Sequence, residues 1–260
     1  MTLRGGATER PTPAAGMGVW SRPLPIGHAS RVTRRLHRLF FLSPCSCRGR
    51  HGRPRRTMAD QQDKAALIAE TRRRFEAEYL PDKSDKYDSR DVERLQQDDK
   101  WVENYLIWRH DVVDDTLKMI DESFQWRKEY AVNDLTESVL PKWLFESGAL
   151  FLHGYDKEGY KLFWFKVKLH VRDQKQQLDK KKLVAFWLEH YAKRDHGKPL
   201  TVVFDMAETG ISHIDLDFVR FIVNCFTDYY PNFLTKIVIF EMPWIMNGKS
   251  VGLFSPKIVT

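Results

Sequence analysis

The sequence predicts an α/β protein in which a small N-terminal helical lobe precedes a mixed, largely parallel sheet with flanking helices. Three observations carry this prediction. Apolar residues recur at helical spacing in four stretches between residues 58 and 135. Beyond residue 136 the period changes, and two nearly continuous apolar runs, 200–206 and 236–242, are separated by a helical stretch, as in parallel strands covered on both faces. Finally, 42% of the 260 residues are hydrophobic and 13% aromatic, which suffices for a sizeable core and excludes disorder of the whole chain.

The elements follow in order. Leu67, Thr71, Phe75 and Tyr79 recur every fourth residue and predict a helix ended by Leu80-Pro81. A second helix starts near Asp88, where Ser89 and Asp91 also suit a cap. A third runs through Trp101, Tyr105 and Trp108. The fourth aligns Val113, Leu117, Ile120 and Phe124, with Asp114, Asp115, Lys118, Asp121 and Glu122 toward water. Short connections make these a small bundle.

Pro141 then opens a short helix with Trp143, Leu144 and Phe145, and Gly148 ends it. Residues 149–153 and 161–168 read as hairpin strands around a turn at 154–159, and in the second strand Phe163, Phe165 and Val167 alternate with Leu162, Trp164 and Lys166. A helix over 179–195 turns Leu183, Phe186, Trp187 and Tyr191 inward and leaves Lys180, Lys181 and Lys182 in a solvated first turn. Residues 215–230 read as one helix closed by Pro231, and the path from 200–206 through it to 236–242 forms a βαβ unit.

The formal charge of +7 points toward nucleic acid until it is divided by position. Residues 1–57 hold twelve arginines, no lysine and the single acid Glu9, a surplus of +11, whereas the other 203 residues hold 30 bases against 34 acids and stand at −4. No nucleic-acid partner is therefore expected. The tail is read as an extension without order, with Met58 as the functional start; a transit peptide and a polybasic membrane arm remain open alternatives. No apolar stretch approaches eighteen residues, so membrane contact is expected to be peripheral. Three cysteines, Cys45, Cys47 and Cys225, are too few for a disulfide framework and suit a reducing, cytoplasmic setting.

Catalytic chemistry finds little support. Asp205 and Glu208 stand at the carboxyl end of a predicted strand, where α/β sheets hold ligands, but no His, Cys or Lys recurs near them at a defined spacing. They are expected to cap turns. Gly248-Lys249-Ser250 lacks the first glycine of a phosphate loop, because position 243 is Pro243. His110, His153, His170, His190, His196 and His213 form no i, i+4 metal pair. Neither catalytic residues nor a metal or cofactor are expected.

Several longer stretches carry a resemblance. Leu106-Ile-Trp-Arg109 and Leu117-Lys-Met-Ile-Asp-Glu-Ser-Phe-Gln-Trp-Arg-Lys-Glu-Tyr130 are followed by Gly154-Tyr-Asp-Lys-Glu-Gly159, Thr201-Val-Val-Phe-Asp205, Asp215-Leu-Asp-Phe-Val219, Tyr229-Tyr-Pro231 and Ile237-Val-Ile-Phe-Glu-Met-Pro-Trp-Ile-Met-Asn247. In order and approximate spacing they are similar to the CRAL-TRIO lipid-transfer family. The resemblance divides the chain into a helical lobe over 58–135 and a lipid-binding domain over 136–247. It implies that the sheet floors an apolar pocket for one lipid or other small hydrophobic molecule, without covalent chemistry. The 30 aromatic residues beyond position 57 agree in kind. Pocket candidates are Leu162, Trp164, Val203, Val238 and Phe240, with Phe186 and Phe226 as supporting packing. Ordinary core packing remains the alternative for each. Lys180, Lys181 and Lys182 are candidates for acidic headgroups, and a protein-interaction module with a vestigial pocket is the alternative function.

After Asn247 the sequence departs from the family, which continues into a mobile lid and a last part of the sheet. Residues 248–260 are instead divergent, and Gly248-Lys249-Ser250 can be encoded across a splice-donor sequence. The expectation is intron read-through, a C-terminally incomplete domain, and lipid transfer impaired by loss of the lid.

Overall fold

A computed structural model describes residues 40–42, 58–81, 85–195, 197–210 and 214–242, all within one compact unit spanning residues 37–260. The divergent segment 248–260 and most of the arginine-rich extension lie outside the described residues.

Four helices form the N-terminal half: α1 (Met58–Tyr79), α2 (Ser89–Gln97), α3 (Asp99–Trp108) and α4 (Val113–Glu129). Asp88 accepts from the Arg90 backbone N–H and Asp98 from that of Trp101, so two carboxylates satisfy donors that the helices leave open. Phe75, Leu95, Val102, Tyr105, Leu106, Ile120 and Phe124 close a first core between these helices.

The second half builds a mixed five-stranded sheet in the order β1-β5-β4-β3-β2, from β1 (Phe40–Leu42), β2 (Leu150–Tyr155), β3 (Lys161–Lys166), β4 (Leu200–Asp205) and β5 (Leu234–Phe240). The β3–β4 and β4–β5 pairs are parallel; the outer pairs are antiparallel. Helices α5 (Lys142–Glu146), α6 (Gln177–Arg194) and α7 (Leu216–Asn224) complete this half.

Three expectations need correction. The second hairpin strand stops at Lys166, and residues 167–169 form a 3₁₀ turn. The predicted helix over 215–230 is α-helical only to Asn224 and then widens into a π-helical turn, Cys225–Tyr229. Nor is the whole extension without order: residues 40–42 pair with β5, satisfying ladder groups that a bare edge strand would leave open.

The π-helical turn joins the two halves. Its altered bonding places carbonyl oxygens where they accept from the α3 and α4 side: Trp108 Nε1 donates to the Thr227 carbonyl at 3.0 Å, and Ser123 Oγ to that of Tyr229 at 3.2 Å. Trp126 stacks on Tyr229 with ring centroids 4.2 Å apart and planes 7° from parallel.

Arg127 and Tyr230, which follow the two stacked residues in the chain, belong to a buried ion cluster. Arg127 of α4 reaches Glu189 of α6 through two hydrogen bonds, Nη1 to Oε2 at 2.9 Å and Nη2 to Oε1 at 3.1 Å. Its Nε sits 2.9 Å from Asp91 Oδ1 of α2, an ion pair whose N–H is not aimed along the contact. Both the Arg127 and Asp91 side chains are only 2% exposed. Tyr230 also donates to Glu189, at 3.3 Å.

Burial alone would raise the Glu189 carboxyl, but Arg127 first, then Lys193 and Arg94, outweigh it and hold it down to about 2. A carboxyl depressed from its ordinary 4.5 stabilises the fold fully above that pH and loses the contribution as pH falls toward 2. The shift corresponds to about 3 kcal/mol. Urea unfolding at stepped pH should therefore show a decline of that order between pH 4.5 and 2 that is largely missing in Glu189→Gln. At neutral pH, Arg127→Met should cost about 3–5 kcal/mol by stranding two buried carboxylates. Identical acid profiles for the wild type and Glu189→Gln would contradict this account.

Candidate functional site

Strand alternation gives the sheet two unlike faces. Phe163 and Phe165 of β3, Val202 and Phe204 of β4, and Ile237 and Ile239 of β5 share one face, and none is more than 1% exposed. They pack with α6 and α7 residues in the main core. On the other face Trp164 pairs across Val203 to Val238, with Leu162 toward one end and Phe240 toward the other. Val203 is buried, yet it stands outside the main core cluster; Leu162, Trp164, Val238 and Phe240 are half-buried.

The structure thus brings together five of the expected pocket residues on one apolar floor. Phe151 of β2 extends it, stacking on Trp164 at 6.2 Å with planes 8° apart. The Trp164 indole N–H is satisfied by the His153 carbonyl at 2.9 Å, so its ring sits on the floor without an orphaned donor. Phe186 and Phe226 lie elsewhere. Both belong to the core on the opposite face, Phe186 against Phe145 and Trp187, and Phe226 against Phe233.

A polar network closes one end of the floor. Asp156, in the β2–β3 turn, accepts from the backbone N–H groups of Glu158 and Tyr160, from Thr201 Oγ1 of β4 at 2.9 Å, and pairs with Lys236 of β5 at 3.0 Å. Burial would raise its carboxyl, but the Tyr160 N–H, Lys236 and Thr201 hold it below the ordinary carboxylate range. One side chain thereby fixes the turn of β2–β3 to both parallel neighbours. The Asp-x-x-Gly spacing signals the turn in the sequence; nothing local signals the partners 45 and 80 residues away.

At the other end, Asp205 accepts from the Ala207 N–H at 3.1 Å, and Glu208, in a left-handed backbone conformation, pairs with Lys168. These carboxylates hold a turn. Among the described residues, no group of three His, Cys, Asp or Glu side chains could hold a metal ion, and no helix is long and apolar enough to cross a membrane. The three lysines of α6 differ in setting. Lys180, expected in a solvated first turn, is only 7% exposed: α6 already begins at Gln177, and Lys180 Nζ donates to the Val171 carbonyl. Lys181 and Lys182 are half-buried.

Comparison with known proteins bears on this geometry. Residues 145–250 match the model of the CRAL/TRIO domain. Patellin-6 of Arabidopsis thaliana is 28% identical over 157 residues, covering 55% of this chain and 38% of that protein. The phosphatidylinositol transfer protein CSR1 of Eremothecium gossypii is 26% identical over 102 residues, covering 38% and 23%. The chain thus spans well under half of these curated relatives. Among solved structures, that of Sfh5 superposes over 77% of each chain with a TM-score of 0.51 at 14% identity, a likeness of fold. Together these matches support the CRAL-TRIO domain family for this part of the chain.

Removal of the Asp156 carboxylate should loosen three strands at once. Asp156→Ala is expected to cost about 2–3 kcal/mol in denaturant unfolding, and Thr201→Val about 1 kcal/mol. A loss under half a kcal/mol for Asp156→Ala would show that the network does not tie the sheet.

Proposed function

We propose that the domain binds a single lipid or other small hydrophobic molecule on the sheet face formed by Leu162, Trp164, Val203, Val238 and Phe240, and transfers it between intracellular membranes without covalent chemistry. The asymmetry of the sheet carries this reading. One face is sealed in the core, and the other carries an apolar stretch of Leu162, Trp164, Val203, Val238 and Phe240, mostly half-buried, with Thr201 and Lys236 in register at one end and Lys166 and Asp205 at the other. Covering the latter with an acyl chain contributes about 2.5 kcal/mol for each 100 Å² of apolar surface removed from water. The matched domain family and the phosphatidylinositol transfer for which CSR1 is named support a lipid as the occupant.

In finer detail, the motifs over 106–247 resemble the N-terminal part of motile sperm domain-containing protein 2. That protein type continues into a β-sandwich domain that recognises peptide motifs and ends in a membrane anchor. On this reading the described domain works on the cytoplasmic side, in peripheral contact with membranes, and longer forms hold it at the endoplasmic reticulum.

The test places a charge on the floor. Full-length chain with Val238→Arg or Leu162→Arg should retain at least about tenfold less co-purified lipid, measured by mass spectrometry of solvent extracts, because an uncompensated cation does not share an apolar surface with acyl chains. Transfer of a fluorescent lipid between vesicles should fall in parallel. Arginine variants that fold and keep the wild-type lipid load would refute the assigned floor.

A further inference from the structure

At the carboxyl ends of the parallel strands lies a second surface that the lipid floor does not use. Nine large hydrophobic side chains are exposed among the described residues; three of them, Trp143, Leu169 and Val171, lie together here, and two more, Leu178 and Leu216, stand close in the chain to residues of the same region. Trp143, Leu169 and Val171 line one small apolar cavity of about 170 Å³ with Gln176 and Lys180. Leu178 follows two residues after Gln176, on the first turn of α6. Leu216 follows Asp215, which binds His170 between Leu169 and Val171.

This exposure is held in place. His170 is buried, lies 3.1 Å through Nε2 from Asp215 Oδ2, and stacks on Phe218 with centroids 4.6 Å apart. With His170 turned inward, its neighbours Leu169 and Val171 are 46% and 69% exposed. Lys180 fixes the Val171 carbonyl from the other side, and its ammonium lies 5.8 Å from the centroid of the Trp143 ring. An ordered loop that presents apolar side chains to water, rather than a frayed one, marks an interaction surface.

Its charge identifies the partner. Residues 168–182 carry six bases, Lys168, Arg172, Lys175, Lys180, Lys181 and Lys182, against Asp173 and Asp179, a local +4 in a chain that is −4 beyond residue 57. Neighbouring acids offset part of this charge: Glu208 pairs with Lys168, Asp217 with Arg172 and Arg220, and Asp215 with His170, so with these three acids and Arg220 counted the patch holds seven bases against five acids, +2. Lys168, Arg172 and Lys175 are exposed around the apolar side chains. Exposed aliphatic residues beside an interfacial tryptophan and a basic rim match the apolar boundary and anionic headgroups of a bilayer.

We propose that Trp143, Leu169, Val171, Leu178 and Leu216, with Lys168, Arg172 and Lys175, form a docking surface for an anionic lipid bilayer. The surface rests on the lipid-transfer reading for its purpose. It occupies the end of the sheet at which Phe240 and Lys166 terminate the floor, so docking brings that end to the membrane.

The test must separate this surface from the arginine-rich extension, which also attracts anionic lipid. In a full-length chain with Cys45→Ser and Cys47→Ser, an environment-sensitive fluorophore is attached at Val171→Cys, or at Lys157→Cys in the distant hairpin turn as a control. Vesicles of phosphatidylcholine with phosphatidylserine, three to one, should blue-shift the probe at 171 and leave that at 157 unchanged; phosphatidylcholine alone should give little shift. In the same chain carrying Leu178→Asp and Arg172→Glu, the apparent affinity at position 171 should fall at least about tenfold while co-purified lipid is retained. A probe at 171 that stays in water on bound vesicles, or a protein partner that protects it where vesicles do not, would overturn the proposal. Loss of co-purified lipid in the floor variants is a separate readout, so failure of docking and failure of the pocket are distinguishable.

Discussion

The guanidinium of Arg127 is the constraint on which the two halves depend. It is fixed between Asp91 on α2 and Glu189 on α6, and it projects from α4, the helix that contributes to both cores. A buried charge has few alternatives: leaving the site means reaching water, and staying means keeping both carboxylates in place. The cluster therefore ties α2, α4 and α6 to one another through buried charges. The stacked Trp126 and Tyr229, and the π-helical carbonyls that accept from Trp108 and Ser123, act on the same seam.

With that seam fixed, the helices that cover the sheet lie on one side of it. Phe163, Phe165, Val202, Phe204, Ile237 and Ile239 are sealed there, and the alternate residues of the same strands are left as an apolar floor. The two ends of this floor differ. At one, Asp156 ties the hairpin turn to β4 and β5; at the other, loops held by His170–Asp215 and Lys168–Glu208 present apolar and basic side chains. One end of the floor is thus closed by a polar network, and the other is bordered by apolar and basic side chains.

Much of this was legible in the sequence, because it followed from local periodicity. The stripe of Val113, Leu117, Ile120 and Phe124 placed α4, and the alternation in β3 separated Leu162 and Trp164 from Phe163 and Phe165. Val203, Val238 and Phe240 were pocket candidates through the family resemblance, and it is the parallel register of the folded sheet that places them on the face of Leu162 and Trp164. Phe186 and Phe226 lay on helices, where no period relates them to a face of the sheet, and they belong to the opposite layer. Arg127 also left a trace, since it continues the α4 stripe three residues beyond Phe124, but its partners stand 36 and 62 residues away. The solvated reading of Lys180 failed for a similar reason: its burial depends on Trp143 and Val171, which only the fold brings near.

The central claim is that alternate residues of β3, β4 and β5 contact the lipid, and photo-crosslinking tests it at single-residue resolution. Full-length protein loaded with a phospholipid bearing a diazirine on its acyl chain would be irradiated, digested and mapped by tandem mass spectrometry. The account predicts adducts at Leu162, Trp164, Val203, Val238 and Phe240, with none at the intervening Phe163, Val202 or Ile237. Adducts confined to the helices, or spread without alternation along the strands, would contradict it.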